Sequence, residues 1–158
     1  MKEPVGKYTL LEKVADGTVA AGLLVFWILV YVFNRANVRA VPTHFNIQGE
    51  ADAFGPAGHL YLLAALNTVL IAGLYILKRK NIPLNFGRGI GERNKPELRV
   101  VANQTFSLFA VSLLLIFGII LMETVTYNEG KQAYSFIFIL FAIKIPLVFY
   151  LSKTQDIA

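Results

Sequence analysis

The segment from Val41 to Gly55, VPTHFNIQGEADAFG, holds the residues of this chain that are best suited to chemistry. It places a His, an Asn and two acids between two apolar runs. Imidazole and carboxylate groups are zinc ligands, so His44, Glu50, Asp52 and the nearby His59 form one candidate metal or ligand site. Their spacing matches no metal motif, and we therefore predict no metal and no cofactor here.

A second interpretation of the same segment is a rigid loop that binds nothing. Alternate side chains of an extended chain face opposite ways, so His44 and Asn46 would share one face. Gly49 allows the chain to reverse, and Asp52 can accept hydrogen bonds from backbone amides of the following turn. Whether the segment binds a ligand or only forms a loop, its motif positions are Pro42, His44, Asn46, Gly49, Asp52 and Gly55.

Long apolar runs must position this segment. Hydrophobic residues make up 56% of the 158-residue chain and charged residues only 16%, against roughly 25% charged in an average soluble domain. Four runs are nearly uncharged, and a helix of about 18 residues spans roughly 27 Å, close to the thickness of a hydrocarbon core. The sequence therefore predicts an all-α integral membrane protein with four transmembrane helices and a structured extracytoplasmic loop between helices 1 and 2.

The predicted organisation is a single four-helix membrane domain over residues 17–152. A polar cytoplasmic arm, residues 1–16, precedes it, and a short cytoplasmic tail, residues 153–158, follows it. The domain is predicted to contain helices at about 17–34, 59–78, 96–124 and 134–152, an outer loop at 35–58 and a basic inner loop at 79–95.

Basic residues are distributed unequally around the apolar runs. Eleven Lys and Arg lie in the N-terminal arm, in the tail and between the second and third runs, whereas three lie in the other two connections. Because basic loops stay cytoplasmic, both termini are predicted to be cytoplasmic in a bacterial cell membrane. We expect contact with anionic lipids and none with nucleic acid. The predicted lipid-contacting residues are Lys78, Arg79, Lys80, Arg88 and Arg93.

Three polar residues fall within or beside the apolar runs: Asn67, Glu123 and Lys144. A Lys near a helix centre costs roughly 2.5–3.5 kcal/mol on insertion scales. One interpretation is that Lys144 extends its side chain to the headgroup layer. The other is a polar pocket in which Lys144 meets Asn67 or Glu123. The Ala142 carbonyl, which Pro146 would leave without a helix hydrogen bond, would lie near such a pocket.

The sequence contains none of the common catalytic motifs that we looked for. The chain has no cysteine, so it has neither a thiol nucleophile nor a disulfide. It lacks the H-E-x-x-H and G-x-S-x-G motifs, and the glycine-rich segment Gly87–Lys95 lacks the lysine–serine pair of a phosphate-binding loop. We therefore predict a non-enzymatic protein.

The order P-T-H-F-N-x-x-G-x-x-D-x-x-G over Pro42–Gly55, between a first and a second apolar run, resembles a known membrane family. This family is the domain of unknown function 1648, found at the start of immunity proteins against the sporulation-delaying toxin. Its pattern has a Pro, a His, an Asn, a Gly and an Asp in this order, and the resemblance covers about residues 15–75. It implies a membrane protein, with toxin immunity as the role of some members.

Three functions are open at this point. The first is a non-enzymatic membrane protein of the toxin-immunity or signalling type, acting with another membrane protein. The second is a small accessory or structural subunit of a larger membrane complex. The third is a carrier for a small solute, with Lys144 in its polar pocket.

Overall fold

A computed structural model of the chain is mostly helical, as the sequence predicts. It describes residues 8–36, 40–46, 48–80, 96–127 and 135–155, with the side chains of all these except 135–137. Each of the four helices within these ranges is long and apolar enough to cross a membrane. In chain order the elements are α1 (Leu10–Ala36), β1 (Val41–Phe45), β2 (Ala51–Gly55), α2 (His59–Arg79), α3 (Pro96–Val125) and α4 (Ser135–Gln155).

The first helix begins inside the segment that was predicted to be a polar arm. Thr9 and Glu12 form a capping box, in which the Thr9 N–H donates to Glu12 Oε2 at 2.9 Å and the Glu12 N–H donates to Thr9 Oγ1 at 3.2 Å. α1 therefore starts at Leu10 and runs for 27 residues. The prediction of an arm was wrong for residues 10–16, because it assigned their charges to solvent, whereas Glu12 is 3% exposed.

The other three helices begin and end within three residues of the predicted bounds. Polar and turn-forming residues lie at both ends of each apolar run, so composition alone locates these helices. α4 continues through Pro146, which lies inside the helix and is buried. Proline removes one helix hydrogen bond but need not end a helix that packs against a neighbour.

α3 is the central helix of the bundle. It packs against α1, α2 and α4, and it has the most buried apolar window of the four helices. Two apolar clusters lie along it, one in its C-terminal half and one near its middle. The first cluster includes Phe26, Val30, Leu60, Ala64, Phe117, Leu121 and Ala142, and the second consists of Val19, Ile71 and Ala110.

β1 and β2 pair as an antiparallel hairpin between α1 and α2. The sequence predicted an extended stretch here but not a sheet. Because of this hairpin, the fold is not all-α as predicted. Val41 pairs with Gly55 and Pro42 with Phe54, and the register shifts on both sides of His44. We refer to the end of the bundle that carries this hairpin as the hairpin end, and to the opposite end as the Lys78 end.

At Gly22, α1 packs directly against the side chain of Leu114 on α3. A Cβ atom at this position would collide with Cδ2 of Leu114, whereas a Cβ at Gly17 would meet nothing within 4 Å. Leu114 packs against both apolar clusters, so its freedom to move aside is restricted. The absence of a side chain at Gly22 thus lets the two helices interlock, as small residues do in membrane helix pairs.

We expect Gly22→Leu to destabilise the bundle by about 1–3 kcal/mol, because overpacking forces Leu114 and its neighbours to shift. The matched variant in the same helix, Gly17→Leu, should leave the melting temperature in detergent unchanged or raise it, since helix propensity improves without a collision. Equal melting temperatures for the two variants would show that α1 and α3 are not in close contact at Gly22.

Candidate functional site

Asn46 organises the turn that joins β1 to β2. Its Oδ1 accepts hydrogen bonds from the N–H groups of Gln48 at 3.0 Å and Glu50 at 2.9 Å. Its Nδ2 donates to Glu50 Oε2 at 3.1 Å, and its carbonyl accepts from the Gly49 N–H at 2.9 Å. Gly49 has a φ of 81°, a conformation that glycine adopts without strain. Gly49 thus lies in a chain reversal, as the sequence indicates, and the hydrogen bonds of Asn46 stabilise that reversal.

His44 and Asp52 meet across the hairpin. His44 Nδ1 lies 2.5 Å from Asp52 Oδ1, and the two side chains are 68% and 47% exposed. From the sequence, Asp52 could accept hydrogen bonds from backbone amides of the next turn, but in the structure it pairs with the imidazole of His44. Exposed pairs of this kind contribute about 0–1 kcal/mol to stability. The pair is therefore a feature that the surface presents, and the fold does not depend on it.

The hairpin does not assemble the metal site that was one interpretation of its sequence. His44 is bonded to Asp52 and Glu50 to Asn46. Within the part of the chain that the structure describes, no group of three His, Asp or Glu side chains is placed to hold a metal ion. What the arrangement offers is an exposed imidazole–carboxylate pair that can exchange hydrogen bonds with a polar partner.

Aromatic contacts hold the hairpin against α3. The rings of Phe45 and Phe54 both meet the ring of Tyr127 edge-to-face, with centroids 5.9 and 5.8 Å apart. Each such pair contributes about 0.5–1.5 kcal/mol beyond its buried area. Val41 and Pro42 are buried beneath them. The hairpin is thus a supported platform, and a cavity of about 390 Å³ separates part of β1 from α2 and α3.

The Lys78 end holds a buried ion cluster that we did not predict from the sequence. Lys78 Nζ donates to Asp16 Oδ2 at 2.7 Å and to Ser107 Oγ at 2.8 Å, and it lies 3.3 Å from Glu12 Oε1. Lys78 is 5% exposed, Glu12 3% and Ser107 0%. The three hydrogens of the ammonium group therefore face three acceptors, two of them on α1 and one on α3.

The burial of Lys78 corrects its predicted assignment to anionic lipid. The prediction was wrong for this residue, because it placed every basic residue after the second apolar run in the headgroup layer. The neighbouring Arg79 and Lys80 are exposed at the end of α2, where headgroups can reach them. Arg88 and Arg93, together with the segment Gly87–Lys95, lie outside the described residues.

Further contacts surround the cluster. The Tyr75 hydroxyl donates to Asp16 Oδ1 at 2.9 Å, and Gln104 Nε2 donates to Thr9 Oγ1 at 3.2 Å. Lys78 Nζ also lies 5.1 Å from the ring centroid of Tyr8 and 5.7 Å from that of Tyr75. These distances are typical of cation–π contacts.

The sequence carried one overlooked signal of this cluster. Thr9 and Glu12 have the spacing of a capping box, which marks a helix start at Leu10. A helix that starts there places Glu12 and Asp16 four residues apart on the same face. Two acids on one face of an otherwise apolar helix require a basic partner, and Lys78 ends the next apolar run.

The structure does not bring the three intramembrane polar residues together. Asn67 is 0% exposed, and neither its Oδ1 nor its Nδ2 is hydrogen-bonded. Glu123 borders a separate groove of about 490 Å³ between α1 and α3. Lys144 lies on the exposed side of α4, with no hydrogen bond or ion pair to any described residue. Among the described residues, the polar pocket that was one interpretation of these three positions does not form.

Comparisons with known proteins add no relative to this description. No family model, no curated protein and no solved structure matches the chain. The resemblance of Pro42–Gly55 to an immunity-protein domain therefore remains a resemblance of motif. What the chain does has to follow from its hairpin, its ion cluster and its apolar surface.

We expect Lys78→Met to destabilise the protein by about 3–5 kcal/mol, because two carboxylates would lose their buried cation. The matched variant Lys80→Met removes the same charge from an exposed position two residues away and should change stability by no more than about 0.5 kcal/mol. Thermal unfolding of both variants in detergent tests this difference. A fully stable Lys78→Met protein would mean that the ammonium group does not support the bundle.

Proposed function

We propose that this chain is a non-enzymatic, multi-pass protein of a bacterial cytoplasmic membrane, of the toxin-immunity or signalling type, which recognises a partner through the hairpin. The observation that carries the proposal is the exposed His44–Asp52 pair, presented on a hairpin that Tyr127 holds against the helices.

Membrane insertion is supported by the surface of the helices. α1, α2 and α4 carry many large apolar side chains that no described residue covers, and a soluble protein of this size rarely exposes such a contiguous apolar surface. A bilayer would cover it, since each helix is long enough to span one. Examples with more than half of their surface exposed are Leu24, Val25, Leu62, Leu66, Val69, Phe138, Phe141 and Val148.

Recognition is supported by the contrast between the hairpin and the helices. The hairpin has polar groups at its tip and a rigid turn, and its apolar side chains face Tyr127. A fixed, polar and exposed surface binds a partner at a low cost in conformational entropy. The motif that the hairpin shares with immunity-protein domains supports a peptide or protein as that partner.

Transmission is supported by α2, which joins the two polar ends of the bundle. The helix begins four residues after β2 at His59 and reaches the ion cluster with Lys78. At about 1.5 Å per residue, these two residues are about 28 Å apart. A change in the hairpin would therefore reach the far side of a bilayer along one continuous helix.

The non-enzymatic assignment rests on the groups around the pair. His44 and Asp52 have the types of a general base and its orienting carboxylate. No Ser, Thr or Lys hydroxyl or amine among the described residues is hydrogen-bonded to this imidazole. Both side chains are also open to solvent, whereas catalytic groups work in sites that exclude water.

Single-cysteine labelling tests the proposed orientation, because the chain has no cysteine of its own. We expect Gln48→Cys, at the exposed tip of the hairpin, to react with a membrane-impermeant maleimide added to intact cells. Lys80→Cys, at the other end of α2, should react only after the membrane is permeabilised. The reverse pattern would place the hairpin in the cytoplasm and would remove an extracellular toxin as its partner.

Site-specific photocrosslinking in living cells tests recognition by the hairpin. We expect a photoreactive residue at Gln48 to give a discrete protein adduct, which Asp52→Asn abolishes, because this change keeps the side-chain shape and removes the charge. A photoreactive residue at Val69, 67% exposed on α2, is the matched control for nonspecific membrane adducts. Recognition at this pair is refuted if the Gln48 adduct persists in Asp52→Asn or also arises from Val69.

A further inference from the structure

α4 presents an exposed apolar stripe with a single charge at its centre. Lys144 is exposed, and Leu140, Phe141, Val148 and Leu151 lie four and three residues before it and four and seven after it. This spacing places all five on one face of the helix. The four apolar side chains are between 43% and 64% exposed.

The position of Lys144 along α4 makes this charge costly. The residue is nine positions from Ser135 and eleven from Gln155, which corresponds to about 13 and 16 Å of helix. The four-carbon stem of a Lys is shorter than either distance. The ammonium group therefore remains within the apolar layer or at its edge, where a charge without a partner is strongly disfavoured.

Two of the lysines on these helices, Lys78 and Lys144, lie in very different surroundings. Lys78 has three acceptors and two aromatic rings around it, all from its own chain. Lys144 has no hydrogen bond or ion pair within the described residues, and it faces away from the bundle. The ammonium group of Lys78 is bonded within its own chain, whereas that of Lys144 is available to a different molecule.

We propose that this face of α4 binds a helix of a second membrane protein, and that this helix carries an Asp or Glu at the depth of Lys144. Opposite charges that meet in a low-dielectric layer attract far more strongly than they do in water. The apolar residues on both sides of Lys144 would pack along such a helix. This assignment requires membrane insertion, as proposed above, but it does not depend on what the hairpin recognises.

The described acids of this chain argue for a different protein and against a second copy. Glu12 and Asp16 are already paired with Lys78 at the Lys78 end. Glu123 lies two residues before the end of α3, and Glu97 is the second residue of the same helix. Glu50 and Asp52 lie on the hairpin, outside the helices. None of these six acids lies near the depth of Lys144, so two copies packed through α4 would not neutralise each other's charge.

Disulfide trapping with a designed helix tests the proposal. The full-length chain carries Val148→Cys, one turn from Lys144, and is co-reconstituted in vesicles with a Leu/Ala helix that bears a central Glu and one Cys a turn away. A second probe has Leu in place of the Glu. We expect crosslinking to the Glu probe to exceed that to the Leu probe by about tenfold, the ratio that 1.4 kcal/mol of pairing free energy gives.

Three variants make the test specific to the charge pair. Lys144→Met should reduce crosslinking of the Glu probe to the level of the Leu probe. Lys144→Glu should restore it when the probe carries a central Lys. The control Val25→Cys, 53% exposed on α1, should give the same low yield with both probes.

Each other outcome overturns the proposal. Equal yields with both probes, or with Lys144→Met, would show that the charge has no role in what α4 binds. No crosslinking at all would show that Lys144 reaches the headgroups and that the face contacts lipid. Crosslinking of the Val148→Cys chain to itself would make a second copy the occupant. A failed hairpin adduct at Gln48 would not alter any of these yields, so the two proposals fail separately.

Discussion

An ammonium group can be buried only where acceptors replace its water, and the burial of Lys78 imposes this requirement on three helices at once. α1 must extend far enough to supply Glu12 and Asp16, and α3 must place Ser107 opposite them. The end of α2 is then fixed against both neighbours. The register of α1, α2 and α3 at the Lys78 end follows from this one group, whereas apolar packing alone would tolerate several registers.

Asn67, in the same helix as Lys78, is a buried polar group without such acceptors and donors among the described residues. It lies between Ala64 and Ile71 on the buried face of α2, and both polar atoms of its side chain are unpaired. An unpaired buried amide costs about 1–3 kcal/mol, so this position weakens the middle of the bundle. The ion cluster at the Lys78 end and the aromatic contacts at the hairpin end therefore stabilise the bundle on either side of this weaker position.

The sequence predicts the helices well because their apolar runs are long and their ends are marked by charge. It fails at the start of α1, since Glu12 and Asp16 look like solvent-exposed residues until Lys78 is known to lie beside them. The turn at Gly49 was predictable from local preference. The pairing of His44 with Asp52 was not, because it depends on register shifts on both sides of His44 that strand alternation does not reveal. The orientation of Lys144 likewise depends on which face α3 covers.

The hairpin has two different attachments. The backbone connects β2 to α2 through Pro56, whereas the side chains of Phe45 and Phe54 rest on Tyr127, just beyond α3. A lateral force on the tip is thus divided between the start of α2 and the end of α3. Asn67, whose side chain has no hydrogen bond to any described residue, lies on the buried face of α2 farther along the same helix. A displacement of the hairpin tip would therefore act on α2 through the backbone and on the end of α3 through side-chain contacts alone.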